Sequence, residues 1–139
     1  MIMNDNDMID MLRAARTIAV VGLSPKADRP SYRVAAYMQK AGYRIIPVRP
    51  GGGKVLDEES YDSLDAIPAE IKIDIVDVFR RPEDTPPIAE AAVRRGARYF
   101  WLQSGIRNDA ALAVARQGGL LTTQDLCLMV EHRRLAASL

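Results

Sequence analysis

What most constrains the fold of this chain is an alternation that recurs along it: a short apolar run, a turn, an amphipathic stretch, then another short apolar run. The runs read "TIAVVG" (17–22), "RIIPV" (44–48), "IDIVDVF" (73–79) and "ARYFWLQ" (97–103), with a shorter "LLTT" at 120–123. Each is too short for a helix and rich in β-branched or aromatic residues, so each is predicted to be a strand. A continuously apolar run such as 17–22 is predicted to be buried on both faces. Between the runs the spacing turns helical. Pro30 and Ser31 open a helix with Val34, Ala35 and Met38 on its apolar face, and Gly42 ends it. Pro86 and Pro87 precede Ile88, Ala89, Ala92 and Val93, closed by Gly96, and further helices are predicted over 108–118 and 126–136. Ahead of all these, Met8, Ile9, Leu12 and Ala15 mark a short amphipathic helix that covers an edge of the core.

Strands that alternate with helices in this way predict an α/β fold, a three-layer sandwich with a mostly parallel sheet of five or six strands. Pro47 in the second run argues against a central, fully paired position there and is acceptable near a strand end. "RPGGGK" (49–54) reads as a flexible loop, followed by a short extended piece at 54–57 and a turn near 64–67. The chain has 139 residues, which suits one domain over 1–139, with residues 1–16 as a helix packed on its core.

The charge balance narrows the function classes. Nineteen Lys and Arg against 18 Asp and Glu leave a net charge of +1, too little to draw the chain to nucleic acid or to an anionic membrane. No apolar run approaches the roughly 20 residues of a membrane-spanning helix. A single cysteine, Cys127, cannot form an internal disulfide, and the acidic N-terminal stretch lacks the pattern of a signal peptide. The expected compartment is the cytoplasm, and a homo-oligomer stays open.

In parallel sheets of this class ligands gather at the carboxyl ends of the strands, near the point where strand order reverses. The stretch to test is therefore "VVGLSPKADRPSYRV" (20–34). A dinucleotide fingerprint needs G-x-G-x-x-G, and only Gly22 is in place; the acid expected after the second strand is replaced by Val48 and Arg49. NAD fits poorly. Arginine at that place suits a phosphorylated ribose, as in NADP or coenzyme A, while the amides after Gly22, the Ser24 hydroxyl and the helix start near Ser31 suit a pyrophosphate. The plainer alternative is a turn-rich connection with solvated arginines. "GGGK" at 51–54 lacks the spacing and hydroxyl of a P-loop.

Taken in order, "GLSPKADRPSYRV", "DIVDVFRR", "WLQSGIRN" and "LCLMVEHRRL" resemble the small bacterial CoA-binding proteins, a family related to the CoA-binding domain of the succinyl-CoA synthetase alpha subunit. The resemblance spans residues 11–135 and implies a stand-alone Rossmann-like domain whose ligand is coenzyme A or an acyl-CoA. Carried over by position, it implies that Gly22, Leu23, Ser24, Pro25, Arg29, Ser31 and Arg33 hold the pyrophosphate and its neighbours. Pro47, Val48 and Arg49 would lie beside the adenosine. Phe79 and Arg80, then Gly105 and Ile106, would line the exit of the pantetheine arm. Family members commonly carry asparagine where this chain has Arg49, and an arginine before the cysteine where this chain has Leu126. The alternatives are an NADP-binding oxidoreductase and a subunit of a CoA-ligase-like enzyme.

No catalytic group stands out. Cys127 follows Asp125 at a predicted helix start, and His132 lies five residues on, about 140° around the helix, so the two do not pair. One Cys and one His make no common zinc site. Asp74 and Asp77 sit three apart on one strand and point to opposite faces, with Asp77 expected to be held by backbone or arginine hydrogen bonds. Trp101 is expected in the core.

Overall fold

All five short runs form strands of one parallel sheet in the computed structural model, which describes residues 2–139. The chain runs α1 (Asp5–Ala14), β1 (Thr17–Val21), α2 (Pro30–Lys40), β2 (Arg44–Val48), then a two-stranded hairpin of β3 (Lys54–Val55) and β4 (Glu58–Glu59). It continues through β5 (Ile75–Val78), α3 (Thr85–Arg94), β6 (Tyr99–Leu102), α4 (Asp109–Gln117), β7 (Leu121–Thr123) and α5 (Leu128–Leu135). The sheet order is β2-β1-β5-β6-β7. The chain leaves β1 in one direction to reach β2 and returns past β1 to reach β5. Strand order therefore reverses between β1 and β5.

Right-handed crossovers on either side of that reversal place their helices on opposite faces of the sheet. One face packs Met11, Leu12, Val34, Met38 and Leu128 over Ile18, Val20, Ile75 and Trp101, so α1, α2 and α5 share it. The other packs Ala89, Ala92, Leu112 and Ala115 over Ala19, Val76 and Phe100, so α3 and α4 share that one. The result is a three-layer, Rossmann-like α/β sandwich. β1, β5 and β6 are buried along their whole length, as the unbroken apolar runs require.

Pro47 pairs with Val20 in the β1–β2 ladder without costing a bond. Its carbonyl points outward and accepts from the Tyr61 amide at 3.0 Å, so its missing N–H lies on the outer edge as well. Tyr61 and Val48 form a single parallel bridge on that edge, in the place a sixth strand would occupy.

The two aspartates of the third run do face opposite ways, and their fates diverge. Asp74 Oδ2 accepts from the amides of Arg16 at 2.8 Å and Thr17 at 3.1 Å, tying β5 to the start of β1. Asp77 corrects the expectation: it is 1% exposed and neither oxygen has a hydrogen-bond partner. On the central strand its backbone is shared between Val20 and Trp101, and its side chain enters an apolar layer in which the Trp101 Nε1 donor is spent on the Leu126 carbonyl. Burial pushes its carboxyl well above the usual range.

Gly22 ends β1 at φ +87°, and a Cβ there would lie 2.4 Å from the Phe79 carbonyl oxygen. The close approach of the loops after β1 and β5 depends on it. Among the described residues no helix is long and apolar enough to cross a membrane.

Candidate functional site

Three clefts follow one another along the carboxyl ends of the strands, at the reversal of strand order. The first, about 310 Å³, is lined by Gly22, Ser24, Lys26, Arg29, Ser31 and Phe79, with Pro30. It owes its character to the start of α2. Arg29 is the N-cap in extended conformation with no side-chain cap, Pro30 occupies the first turn, and that turn carries no acid. The amides of Ser31 and Tyr32 therefore have no partner within the helix and meet the positive end of its dipole. Lys26 and Arg29 form no ion pair among the described residues.

The loop that leads there is shaped by two hydroxyls. Ser31 Oγ accepts from the Ser24 amide at 3.0 Å, and Ser24 Oγ accepts from the Lys26 amide at 3.1 Å. Ser31 is buried, so its hydroxyl organises the loop from below, while Ser24 is half-buried at the cleft. Leu23 is 1% exposed, turns into the core and does not line the cleft. Pro25 faces a different depression, beside Gln39 and the β3–β4 hairpin. Arg33 is exposed on α2 and does not line the three clefts.

The second cleft, about 330 Å³, joins the first through Pro30 and Phe79 and extends to Val34, Gln103, Ile106 and Cys127. Its walls are mostly apolar. Cys127 is half-buried and is the N-cap of α5, where the Leu128 amide donates to Gln103 Oε1 at 3.0 Å. Gly105 does not line the cleft itself; at φ +81° it makes the turn that presents Ser104 and Ile106. His132 belongs elsewhere, with the Tyr37 hydroxyl 2.9 Å from Nδ1, and burial lowers its pKa.

Arg80 borders both the second cleft and a third of about 390 Å³, which also takes in Val21, Val48, Arg49, Leu64 and Ile88. Its charges are mixed and mostly matched. Arg94 holds Asp65 at 2.7 Å, which keeps the Asp65 carboxyl below the usual range, and Arg80 lies 3.8 Å from Asp84. Arg49 donates to the Gly52 carbonyl at 2.5 Å within its own loop. Pro47 is buried in the sheet and does not border the three clefts.

The fold thus brings Gly22, Ser24, Arg29, Ser31, Val48, Arg49, Phe79, Arg80 and Ile106 to one continuous groove, and leaves Leu23, Pro25, Arg33, Pro47 and Gly105 outside its lining. It adds Lys26, Val34, Leu64, Ile88 and Gln103. Of these, Gln103 carried a signal, a polar residue at the carboxyl end of a buried strand. The helix positions carried none, because an apolar residue on a helix face reads the same whether it meets the core or a groove.

The description "CoA binding domain" matches residues 16–133. The chain is 42% identical over 123 residues to an uncharacterized protein, YneT, of Bacillus subtilis, covering 88% of this chain and 90% of that one. Among solved structures it superimposes on cell-free ID.343 from Thermus thermophilus with a TM-score of 0.90 and 36% identity, covering 96% of this chain and 99% of that one. A hypothetical protein from Pyrococcus horikoshii OT3 gives a TM-score of 0.91 and 36% identity, over 96% and 93% of the two chains.

Proposed function

Since this chain belongs to the CoA binding domain family, we propose that it binds coenzyme A or an acyl-CoA in the groove along the carboxyl edge of its sheet. The observation that carries this reading is the continuity of three clefts of different chemistry. The first, with unpaired cations and the open helix start, suits a pyrophosphate. The third, apolar at Leu64 and Ile88 with Arg49 at its rim, suits an adenosine bearing a ribose phosphate. The second, apolar and leading to Gln103 and Ile106, suits a pantetheine arm. The first cleft meets the second at Pro30 and Phe79 and the third at Val21 and Gly22, where the Gly22 amide donates to the Val48 carbonyl at 2.8 Å. The ligand likewise carries its pyrophosphate between the other two parts.

Several donors in the groove already have weak or internal partners that a phosphate would replace. Arg49 holds only a loop carbonyl, and the Arg80–Asp84 contact is long and exposed. Calorimetric titration with coenzyme A, acetyl-CoA, NADP and NAD tests the reading. Micromolar binding of coenzyme A with no response to NADP supports it; indifference to all four sinks it.

A further inference from the structure

Residues 103–106 and Cys127, which line the second cleft beside Pro30, Val34, Phe79 and Arg80, come from separate loops, and the side chains of Gln103 and Asp125 each tie those two loops together. Asp125 Oδ1 accepts from the Gly105 amide at 2.7 Å, across 20 positions of chain. Its Oδ2 accepts from Arg107 at 3.3 Å, and its own amide donates to the Ile106 carbonyl at 3.2 Å. To make all three bonds Asp125 adopts φ +60°, a left-handed conformation that most side chains avoid and aspartate tolerates. Its side chain is 40% exposed, so it serves no core packing. Deeper in, Trp101 Nε1 donates to the Leu126 carbonyl at 2.8 Å and the Leu128 amide to Gln103 Oε1, so the residues on either side of Cys127 are anchored to β6 and its end. The floor of the cleft is fixed by buried groups. Nearer the surface, Asp125 ties the same two loops together.

We infer that Asp125 is a positioning residue that sets the width of the second cleft for the thiol-bearing amide arm of the ligand. This rests on the reading of the groove given above. A ligand with no arm gains nothing from the clamp, because the first and third clefts are built from other loops. Loss of Asp125 therefore separates the two halves of the ligand, whereas a residue that only stabilised the fold would affect both alike.

The test compares coenzyme A with adenosine 3′,5′-bisphosphate, which lacks the arm, by calorimetry on the unmodified chain, Asp125→Gly and Asp125→Asn. Glycine accommodates the left-handed backbone but removes the carboxylate. It is expected to weaken coenzyme A about tenfold and the bisphosphate less than about twofold. Asparagine keeps an acceptor for the Gly105 amide and is expected to stay within about threefold of the unmodified chain for both ligands. Equal loss for both ligands in Asp125→Gly, or no loss for either, overturns the clamp. If that variant does not fold, Arg107→Ala removes one of the three bonds without touching the Asp125 backbone, and a split of about threefold against coenzyme A is expected; no split overturns the clamp. Failure of the unmodified chain to bind either ligand overturns the groove reading itself, and the clamp with it.

Discussion

The loop after β1 and the loops flanking Cys127 stand side by side at the same edge of the sheet, yet they are built on opposite plans. The first is held by two hydroxyl bonds of its own, Ser24 to Ser31 and Lys26 to Ser24, and leaves a helix start uncapped beside Lys26 and Arg29. The second is strapped by side chains of distant residues. Asp125 holds Gly105, Gln124 Oε1 accepts from the Asn108 amide at 2.8 Å, and Asn108 reaches the Pro82 carbonyl at 2.9 Å. A loop that must give backbone donors to an anion has to leave them unspent. A loop that must keep an apolar cleft open has to be propped from outside, since apolar contacts alone would close it. Both plans depend on the strand ends beneath them.

The hardest way to break the contrast is Gly22→Ala, which removes the base of the first loop. The left-handed backbone and the 2.4 Å approach to the Phe79 carbonyl are together expected to cost about 3 kcal/mol, read as a fall in the denaturation midpoint. Ser24→Asp should leave the fold intact and place a carboxylate where the anion binds, weakening coenzyme A by about a hundredfold or more, roughly 2.7 kcal/mol in calorimetry. Wild-type affinity in that variant would move the anion away from the first loop.

Asp77 tests what lies under both loops, two residues before Phe79 and on the same face of β5. Burial makes its carboxyl keep its proton to higher pH in the folded chain than in the unfolded one, so over that interval the unfolded state binds fewer protons. Stability is then fullest below the ordinary aspartate range and falls as pH rises towards the elevated folded value. Asp77→Asn should gain stability relative to the unmodified chain as pH rises from the ordinary aspartate range towards the raised folded value, with a slope of at most about 1.4 kcal/mol per pH unit. Parallel pH profiles for the two proteins would contradict this. The smallest expected effect is that of Gln124→Ala, about 1–2 kcal/mol of stability from the lost bonds with the Asn108 amide and the Asp109 carboxylate, with the affinity for adenosine 3′,5′-bisphosphate unchanged. A loss of nucleotide affinity there would mean that the strapped loops also shape the first cleft.

Much of this was legible along the chain. The apolar runs announced the strands, and Pro30 and Gly42 bracketed α2 within its observed bounds. Gly22, Ser24, Arg49, Phe79 and Arg80 lie at strand ends, which hydrophobic patterning locates and where ligands of such sheets collect, whereas Arg29 was pointed to only by the family resemblance. Pro25 and Arg33 were not separable from them. Their neighbours in sequence line the first cleft, and only the direction in which each side chain leaves the turn or the helix excludes them. Asp77 read as a satisfied polar residue because buried carboxylates usually are, and the lack of a partner for its oxygens is decided by the neighbouring strands and by the helices that cover that face.

By itself the sequence determined the α/β class, the number and order of the main strands and helices, and the loop that offers an uncapped helix start. These follow from periodicity and punctuation over short spans, which local sterics and hydrophobic burial decide. Only the tertiary structure decided that Gly22 is required by the Phe79 carbonyl, that three clefts adjoin along the sheet edge, and that Asp125 bonds the Gly105 amide across 20 positions of chain. Each of these depends on residues from separate loops meeting across the sheet, and the distance between such residues is set by strand pairing and helix packing, not by their separation along the chain.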